Sequence, residues 1–348
     1  MSAPQLITGI AGQDGAYLAA QLLARGDTVV GTRRPGADAA SLWRLRELGI
    51  AEHARLRIVE LDAAQFDECR ALLAALRPAA VFHLAAQSRV AASLRDPYGS
   101  ARANALSTLQ LLEALRRDSP ASRFVFASSA ELFGNAPAPQ NEQTPFAPAN
   151  PYALSKHFAH GMTQAYRSAH GLHAGCAILF NHESPLRDPD FVTRKIAAAA
   201  ARCALGAEES LALGNLQAQR DFGYAPEYVE ALVAMAAQPR ADDYVLASGV
   251  ATSIRDFATL AFAAAGSLLI WQGTGVDEHA IDAHGRVRIV VDPALFRPLD
   301  AAVLVGDARK ARAQLGFAAR TDVAALAKLL VEAELLNAAR FAQRGGVL

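Results

Sequence analysis

The chain has 348 residues, 52% of them hydrophobic and 20% charged, with a formal net charge of zero. So much apolar content suits a large buried core, in one large domain or two smaller ones. The balanced charge provides no electrostatic footprint for nucleic acid or an anionic membrane, so any anionic partner has to be held locally. Three cysteines, Cys69, Cys176 and Cys203, show neither metal-ligand spacing nor a disulfide framework. They read as reduced thiols of a cytoplasmic protein, and no metal is expected. The segment Met1–Gln5 carries no charged leader or long apolar stretch, so neither a signal peptide nor a spanning helix is expected.

The first half alternates short apolar runs with longer amphipathic ones. Residues 5–8, 28–31, 57–61, 80–84, 124–127 and 174–179 read as buried strands. Residues 15–25, 39–48, 66–76, 97–117 and 151–170 have helical spacing. Such alternation predicts an α/β fold, a Rossmann-type doubly wound parallel sheet covered on both faces. After about residue 185 the regularity fails: helices near 191–205, 226–237, 253–266 and 321–338 mix with short strands. Residues 272–288 read as a polar, glycine-bearing loop. The expected division is a dinucleotide-binding domain over 1–180 and a smaller mixed α/β lobe over 181–340, some of whose segments return to the sheet. That lobe would close over the carboxyl edge of the strands, where open α/β sheets bind ligands.

The segment Thr8-Gly9-Ile10-Ala11-Gly12-Gln13-Asp14-Gly15 follows the first strand and opens the first helix. Gly9, Gly12 and Gly15 permit a tight turn and close approach of backbone to a pyrophosphate at a helix N-terminus, with Gln13 and Asp14 beside it. The second strand ends in Arg33-Arg34 rather than an acidic residue. Two guanidiniums suit a ribose 2′-phosphate, which makes NADP the expected cofactor. Asp62, after the third strand, is placed to reach the adenine. After the fourth strand, Leu84, Ala85, Ala86 and Ser88 would let backbone approach the same cofactor.

Tyrosine ionises near pH 10, so it needs help to act as a base. Lys156 follows Tyr152 by four residues, on the same helical face, where its charge is expected to lower the phenol's pKa. Pro151 suits the start of that helix. Ser129, at the end of the preceding strand, can hydrogen-bond the same substrate hydroxyl. Glu131 follows two residues later, and a carboxylate there adds what hydride transfer does not need, a base for a carbon-bound proton.

The glycine loop, Ser129 and the Tyr152/Lys156 pair resemble the extended short-chain dehydrogenase/reductase superfamily. Within it, Asn181-His182-Glu183-Ser184-Pro185, Phe191-Val192-Thr193-Arg194-Lys195 and Leu213-Gly214-Asn215-Leu216 with Arg220-Asp221 resemble the GDP-mannose 4,6-dehydratases. The resemblance runs from about residue 5 to 335. It implies a hydro-lyase in which Ser129, Glu131, Tyr152 and Lys156 are catalytic. It also places His182 and Arg187 with the nicotinamide end of NADP, and Asn181, Lys195, Arg220 and Arg297 with the nucleotide-sugar. Arginine suits diphosphate, because guanidinium matches phosphate oxygens in a bidentate way. Ser88 and Glu131 would also contact the substrate, and Asp300 stands where the family has a glutamate for the GDP ribose. The superfamily also implies a homodimer or homotetramer paired through the helices carrying residues 97–117 and 151–170.

The chain departs from the usual dehydratase pattern at Ala130, at Asn150-Pro151-Tyr152-Ala153 and at Leu299-Asp300. These departures bear on the sugar more than on the reaction. The neighbouring readings are a dehydratase of another GDP-sugar, a heptose or an N-acetylated hexose, and a GDP-4-keto-6-deoxymannose reductase. From a different class comes a non-catalytic NADP-binding regulator.

Overall fold

The computed structural model describes residues 3–296 and 301–343. Its first half runs β1 (Gln5–Thr8), α1 (Gln13–Ala24), β2 (Val29–Arg33), α2 (Trp43–Glu47), β3 (Leu56–Glu60), α3 (Phe66–Leu76), β4 (Ala80–His83), α4 (Val90–Arg95), α5 (Pro97–Ala101), a π-helical turn (Arg102–Leu106), α6 (Ser107–Asp118), β5 (Arg123–Ala127), a 3-10 turn (Ala130–Phe133), α7 (Pro151–His170) and β6 (Ala174–Leu179). The second half runs β7 (Asn181–Glu183), α8 (Val192–Ala204), β8 (Leu211–Leu213), β9 (Gln219–Tyr224), α9 (Ala225–Ala237), β10 (Tyr244–Leu246), β11 (Ala251–Ser253), α10 (Ile254–Ala264), β12 (Ile270–Gln272), β13 (His279–Ile281), β14 (Val287–Val291), β15 (Val303–Leu304), α11 (Arg309–Leu315) and α12 (Val323–Gln343).

Seven strands form one parallel sheet in the order β10-β6-β5-β4-β1-β2-β3. Successive residues of each strand serve opposite faces, as the period of two requires. Ile7, Val29, Phe82 and Val125 pack with Leu18 and Leu22 of α1 and Leu232 and Met235 of α9. Their neighbours Leu6, Val30, Val81 and Phe124 pack with Leu73 of α3, Leu111 and Leu115 of α6, and Ala159 of α7. Both faces are therefore dry, which is why the strands read as continuous apolar runs. Strand order reverses between β1 and β4, so the crevice of a doubly wound sheet opens at their carboxyl ends.

The second half builds its own core, in which Ile196 of α8, Phe257 and Phe262 of α10 and Leu326 and Leu330 of α12 surround Phe222. Two small sheets flank it. One has the order β11-β9-β15 with β7 on β9, the other β12-β13-β14-β8. The segment expected as a loop over 272–288 in fact holds the strand β13, paired antiparallel to both β12 and β14. A three-residue strand is too short to show a period of two, and its polar, glycine-rich flanks read as turn. The helix expected over 97–117 is likewise divided by the π-helical turn at Arg102–Leu106. No helix among the described residues is long and apolar enough to cross a membrane.

Candidate active site

The end of β5 and the start of α7 bring the expected catalytic groups together. Ser129 caps the 3-10 turn that follows β5, its Oγ accepting the Glu131 N–H at 3.2 Å. Asn150 caps α7, with Pro151 in the first turn, and the Tyr152 N–H donates to Ser93 Oγ at 3.1 Å. Tyr152 is buried. Burial pushes its phenol up to about 12, a hydrogen bond from Ser129 pulls it down, and the charge of Glu131 pushes it up again. Ser129, Glu131 and Tyr152 thus form one cluster, in which an alcohol and an adjacent carbon acid could be handled together.

Lys156 is buried as well, and burial drives its ammonium down to about 7. Its Nζ donates to the Ala127 carbonyl at 2.8 Å and lies 4.8 Å from the centroid of the Phe126 ring. The phenol lies above its ordinary value in this state, not below it as the spacing predicts: both groups share one helical face, but burial is the largest influence on each.

The glycine loop meets the β4 loop closely. Gly9 has φ +77°, and a Cβ there would stand 2.7 Å from the Ala85 nitrogen; one on Gly15 would stand 2.5 Å from the Gly9 carbonyl oxygen. Gly12 caps α1 without a side-chain hydrogen bond, leaving the first-turn N–H groups to an anion. A dinucleotide pyrophosphate fits this cradle. Leu84, Ala85 and Ala86 are half-buried beside it and Ser88 is exposed.

Gln13 faces the protein instead. Its amide donates to the His182 carbonyl at 3.0 Å and accepts from Ser184 Oγ at 2.7 Å. Asp14 and His182 form an ion pair at 3.0 Å. Burial raises the Asp14 carboxyl, but the charge and hydrogen bond of His182 overcome it and hold it at about 2. Burial lowers His182, yet the same partner carries it above its ordinary value. Arg187 lies within electrostatic reach of Tyr152, Asp14 and His182; its guanidinium stacks 3.6 Å above the Phe191 ring and pairs with buried Glu183 at 3.3 Å.

At the far end of the groove, Arg33 pairs with Glu60 of β3 at 3.1 Å, while Arg34 is exposed. Asp62, expected to reach adenine, is bound by Arg102. In the second lobe Asn181 is half-buried and Lys195 exposed. Arg220 is buried on β9, its Nη1 donating to the carbonyls of Gln219 and Ala301 at 2.9 and 2.8 Å. Arg297 and Asp300 lie outside the described residues.

Several groups of the site were not singled out by sequence. Asn104, in the π-helical turn, donates to Ser155 Oγ at 2.9 Å and to the Gln87 carbonyl at 3.0 Å, tying the β4 loop to α7. His83 joins Thr8 and Thr108 at 2.7 and 3.1 Å; burial and then the charge of Lys156 push it down to about 3. Behind Ser129, Ser128 Oγ meets His160 Nδ1 at 3.0 Å, and His160 faces Asp243, whose two oxygens are held by Arg167 at 2.8 and 2.9 Å. Asn104 and His160 are polar residues at buried helical positions, and a polar residue in register with the apolar face is the one signal that could have flagged them.

Residues 6–330 match the family model described as GDP-mannose 4,6 dehydratase. A GDP-mannose 4,6-dehydratase of Sinorhizobium fredii (strain HH103) is 44% identical over 337 residues, 95% of this chain and 96% of that protein. GDP-mannose 4,6 dehydratase 1 of Arabidopsis thaliana is 39% identical over 343 residues, 96% of this chain and 90% of that protein. Among solved structures, the UDP-glucose 4-epimerase of Thermus thermophilus in complex with NAD superimposes with a TM-score of 0.77 at 25% identity, covering 99% of this chain and 100% of that one. The dTDP-glucose 4,6-dehydratase DesIV of Streptomyces venezuelae shares the fold with a TM-score of 0.81 at 21% identity, over 97% of this chain and 98% of that one. With 36–44% identity to its relatives over nearly its whole length and a hydroxyl–phenol–carboxylate cluster at the sheet's carboxyl edge, the chain belongs to the GDP-mannose 4,6-dehydratase family.

Proposed function

We propose that the chain converts GDP-mannose to GDP-4-keto-6-deoxymannose and water, with residues 1–180 holding NADP and 181–340 mainly the sugar nucleotide. The nicotinamide supplies a hydride acceptor for C4 and a hydride donor for C6, so no reductant is consumed. The rest is acid and base work for the chain's own groups. Tyr152 takes the proton of the sugar 4-hydroxyl while Ser129 hydrogen-bonds the same oxygen. A ketone at C4 acidifies the C5–H bond, and Glu131 removes that proton. The electron pair released at C5 expels the C6 oxygen, which leaves as water with the proton Glu131 took from C5, delivered directly or through Ser129. Once C6 has received hydride, a proton returns to C5, balanced by the one Tyr152 took and exchangeable with solvent. Lys156, held on the Ala127 carbonyl, stands one helical turn after Tyr152 on the same helix.

The observation that carries the reading is the position of Glu131, close enough to Tyr152 to raise its pKa. A reductase needs the hydroxyls and the lysine but no such carboxylate. The test is incubation with GDP-mannose in deuterated water without added NADPH. The expected product has lost one water and carries deuterium at C5; a product lacking both changes overturns the reading.

The cofactor assignment to NADP rests on Arg33 and Arg34 at the end of β2. Asn181, Lys195, Arg220 and Arg297 are assigned to the nucleotide-sugar, Asp300 to the GDP ribose, and Ser88 to the substrate as well. A second copy of the chain is assigned to the outer face of α5–α7, where Tyr98, Leu106, Leu154 and Phe158 are exposed together. Phe158→Glu should then lower the mass measured by light scattering, and an unchanged mass would place the interface elsewhere.

A further inference from the structure

Asn150 has both ends of its amide engaged. Its Oδ1 accepts the Ala153 N–H at 2.9 Å, which caps α7, and its Nδ2 donates to Glu131 Oε2 at 3.2 Å. The cap decides which way the amide faces. Turned over, its NH₂ would confront the Ala153 N–H, donor against donor, and its oxygen would confront the Glu131 carboxylate. At 4% exposure the side chain has little freedom to turn. Pro151 fixes the backbone one residue on.

The backbone of Glu131 is held as well, its N–H donating to Ser129 Oγ. The phenol of Tyr152 faces the carboxylate from α7. Asp14 from α1 and Arg187 from the segment after β7 lie within electrostatic reach of that phenol. Against these groups, Asn150 supplies a neutral donor aimed at one carboxylate oxygen. A hydrogen bond to the charged form favours ionisation, and a planar acceptor held at a fixed distance keeps one orientation.

We propose that Asn150 is a positioning residue for Glu131: its amide fixes the direction of the carboxylate and sets the pH at which that carboxylate can accept a proton. The inference deepens the functional reading, in which Glu131 receives the C5 proton. One residue therefore couples the start of the helix that carries Tyr152 to a base 19 positions earlier in the chain. Anything that tilts α7 at its first turn also moves the donor on Glu131.

The test uses the full chain with Asn150→Ser and Asn150→Asp, since both side chains still cap a helix. Carbon-13 NMR of glutamate-labelled protein reads the Glu131 carboxylate directly, its signal assigned by loss in Glu131→Gln. In Asn150→Ser the midpoint should rise by about one pH unit, the worth of one lost charge-assisted hydrogen bond. In Asn150→Asp, where a second carboxylate faces the first, it should rise further. With GDP-mannose, the acid limb of the kcat profile should shift by the same amounts while KM stays near that of the parent. An unmoved NMR midpoint in both variants overturns the proposal, as does a rate lowered equally at every pH. If the parent chain leaves GDP-mannose intact, the functional reading falls, and the NMR midpoints still decide the role of Asn150.

Discussion

The Asp14 carboxylate and the His182 imidazole, 168 positions apart, meet at 3.0 Å. The pair joins the first turn of α1 to β7, so the start of the dinucleotide cradle is bolted to the first strand of the second lobe. Each partner keeps the other charged inside a buried setting.

Asp14→Asn should therefore cost stability in a pH-dependent way. The folded Asp14 carboxyl sits at about 2, below its ordinary 3.8. Its stabilisation is full above about pH 4 and is lost as pH falls through about 2. His182 is raised above 6.5, so its share is full below 6.5 and fades as pH climbs through the raised value. Urea unfolding should show a loss of about 1.5–3 kcal/mol in the variant, greatest between about pH 4 and 6.5. A difference that stays constant up to pH 9 would dissolve the linkage.

Glu131→Gln should lower the rate of water loss by about 10²–10⁴-fold, the usual share of a general base. Binding of NADP, followed by fluorescence of the reduced form, should be unaffected. Product formation at the parent rate would remove Glu131 from the chemistry.

Arg33→Ala should weaken NADP by about 10–100-fold and NAD far less, because only the former offers a 2′-phosphate to a guanidinium. Titrations with both dinucleotides check it. Equal weakening would move the phosphate contact to another residue, with Arg34 next in position.

Lys156→Met should abolish turnover yet stabilise the protein without added cofactor. The folded lysine titrates at about 7 against an ordinary 10.5, so the fold penalises its charged form. Parent stability from this group rises as pH goes from about 7 to about 10.5. The variant lacks that penalty, so it should be more stable by about 1–3 kcal/mol near pH 6, the gap closing as pH rises. Thermal unfolding at two pH values reads the effect, and a gap that widens with pH would reverse the sign argued here.

Much of the sheet was legible because its strands are buried on both faces and bounded by turn chemistry. β1, β6, α3 and α7 fall on their expected residues. Pro151 before Tyr152 marked a helix start equally plainly. Two kinds of information were missing from the sequence. Burial reversed the electrostatics of Tyr152 and Lys156, and spacing along a helix carries nothing about desolvation. Partners distant in sequence were the other gap: nothing in the sequence made Asn150 a donor to Glu131 or tied Asp14 to His182. In the second lobe β13 has only three residues, so the sheet around it is specified by tertiary pairing rather than by local pattern.

β10 lies at one end of the seven-stranded sheet, beside β6, though β6 ends at Leu179 and β10 begins only at Tyr244. Until Tyr244–Leu246 has left the ribosome, β6 offers an open, apolar backbone edge, which is the kind of surface that captures stray strands. A fragment ending near residue 180 would keep that edge for good. The first half is therefore not a module to be cut free; its boundary in space is closed by residues that arrive late in synthesis.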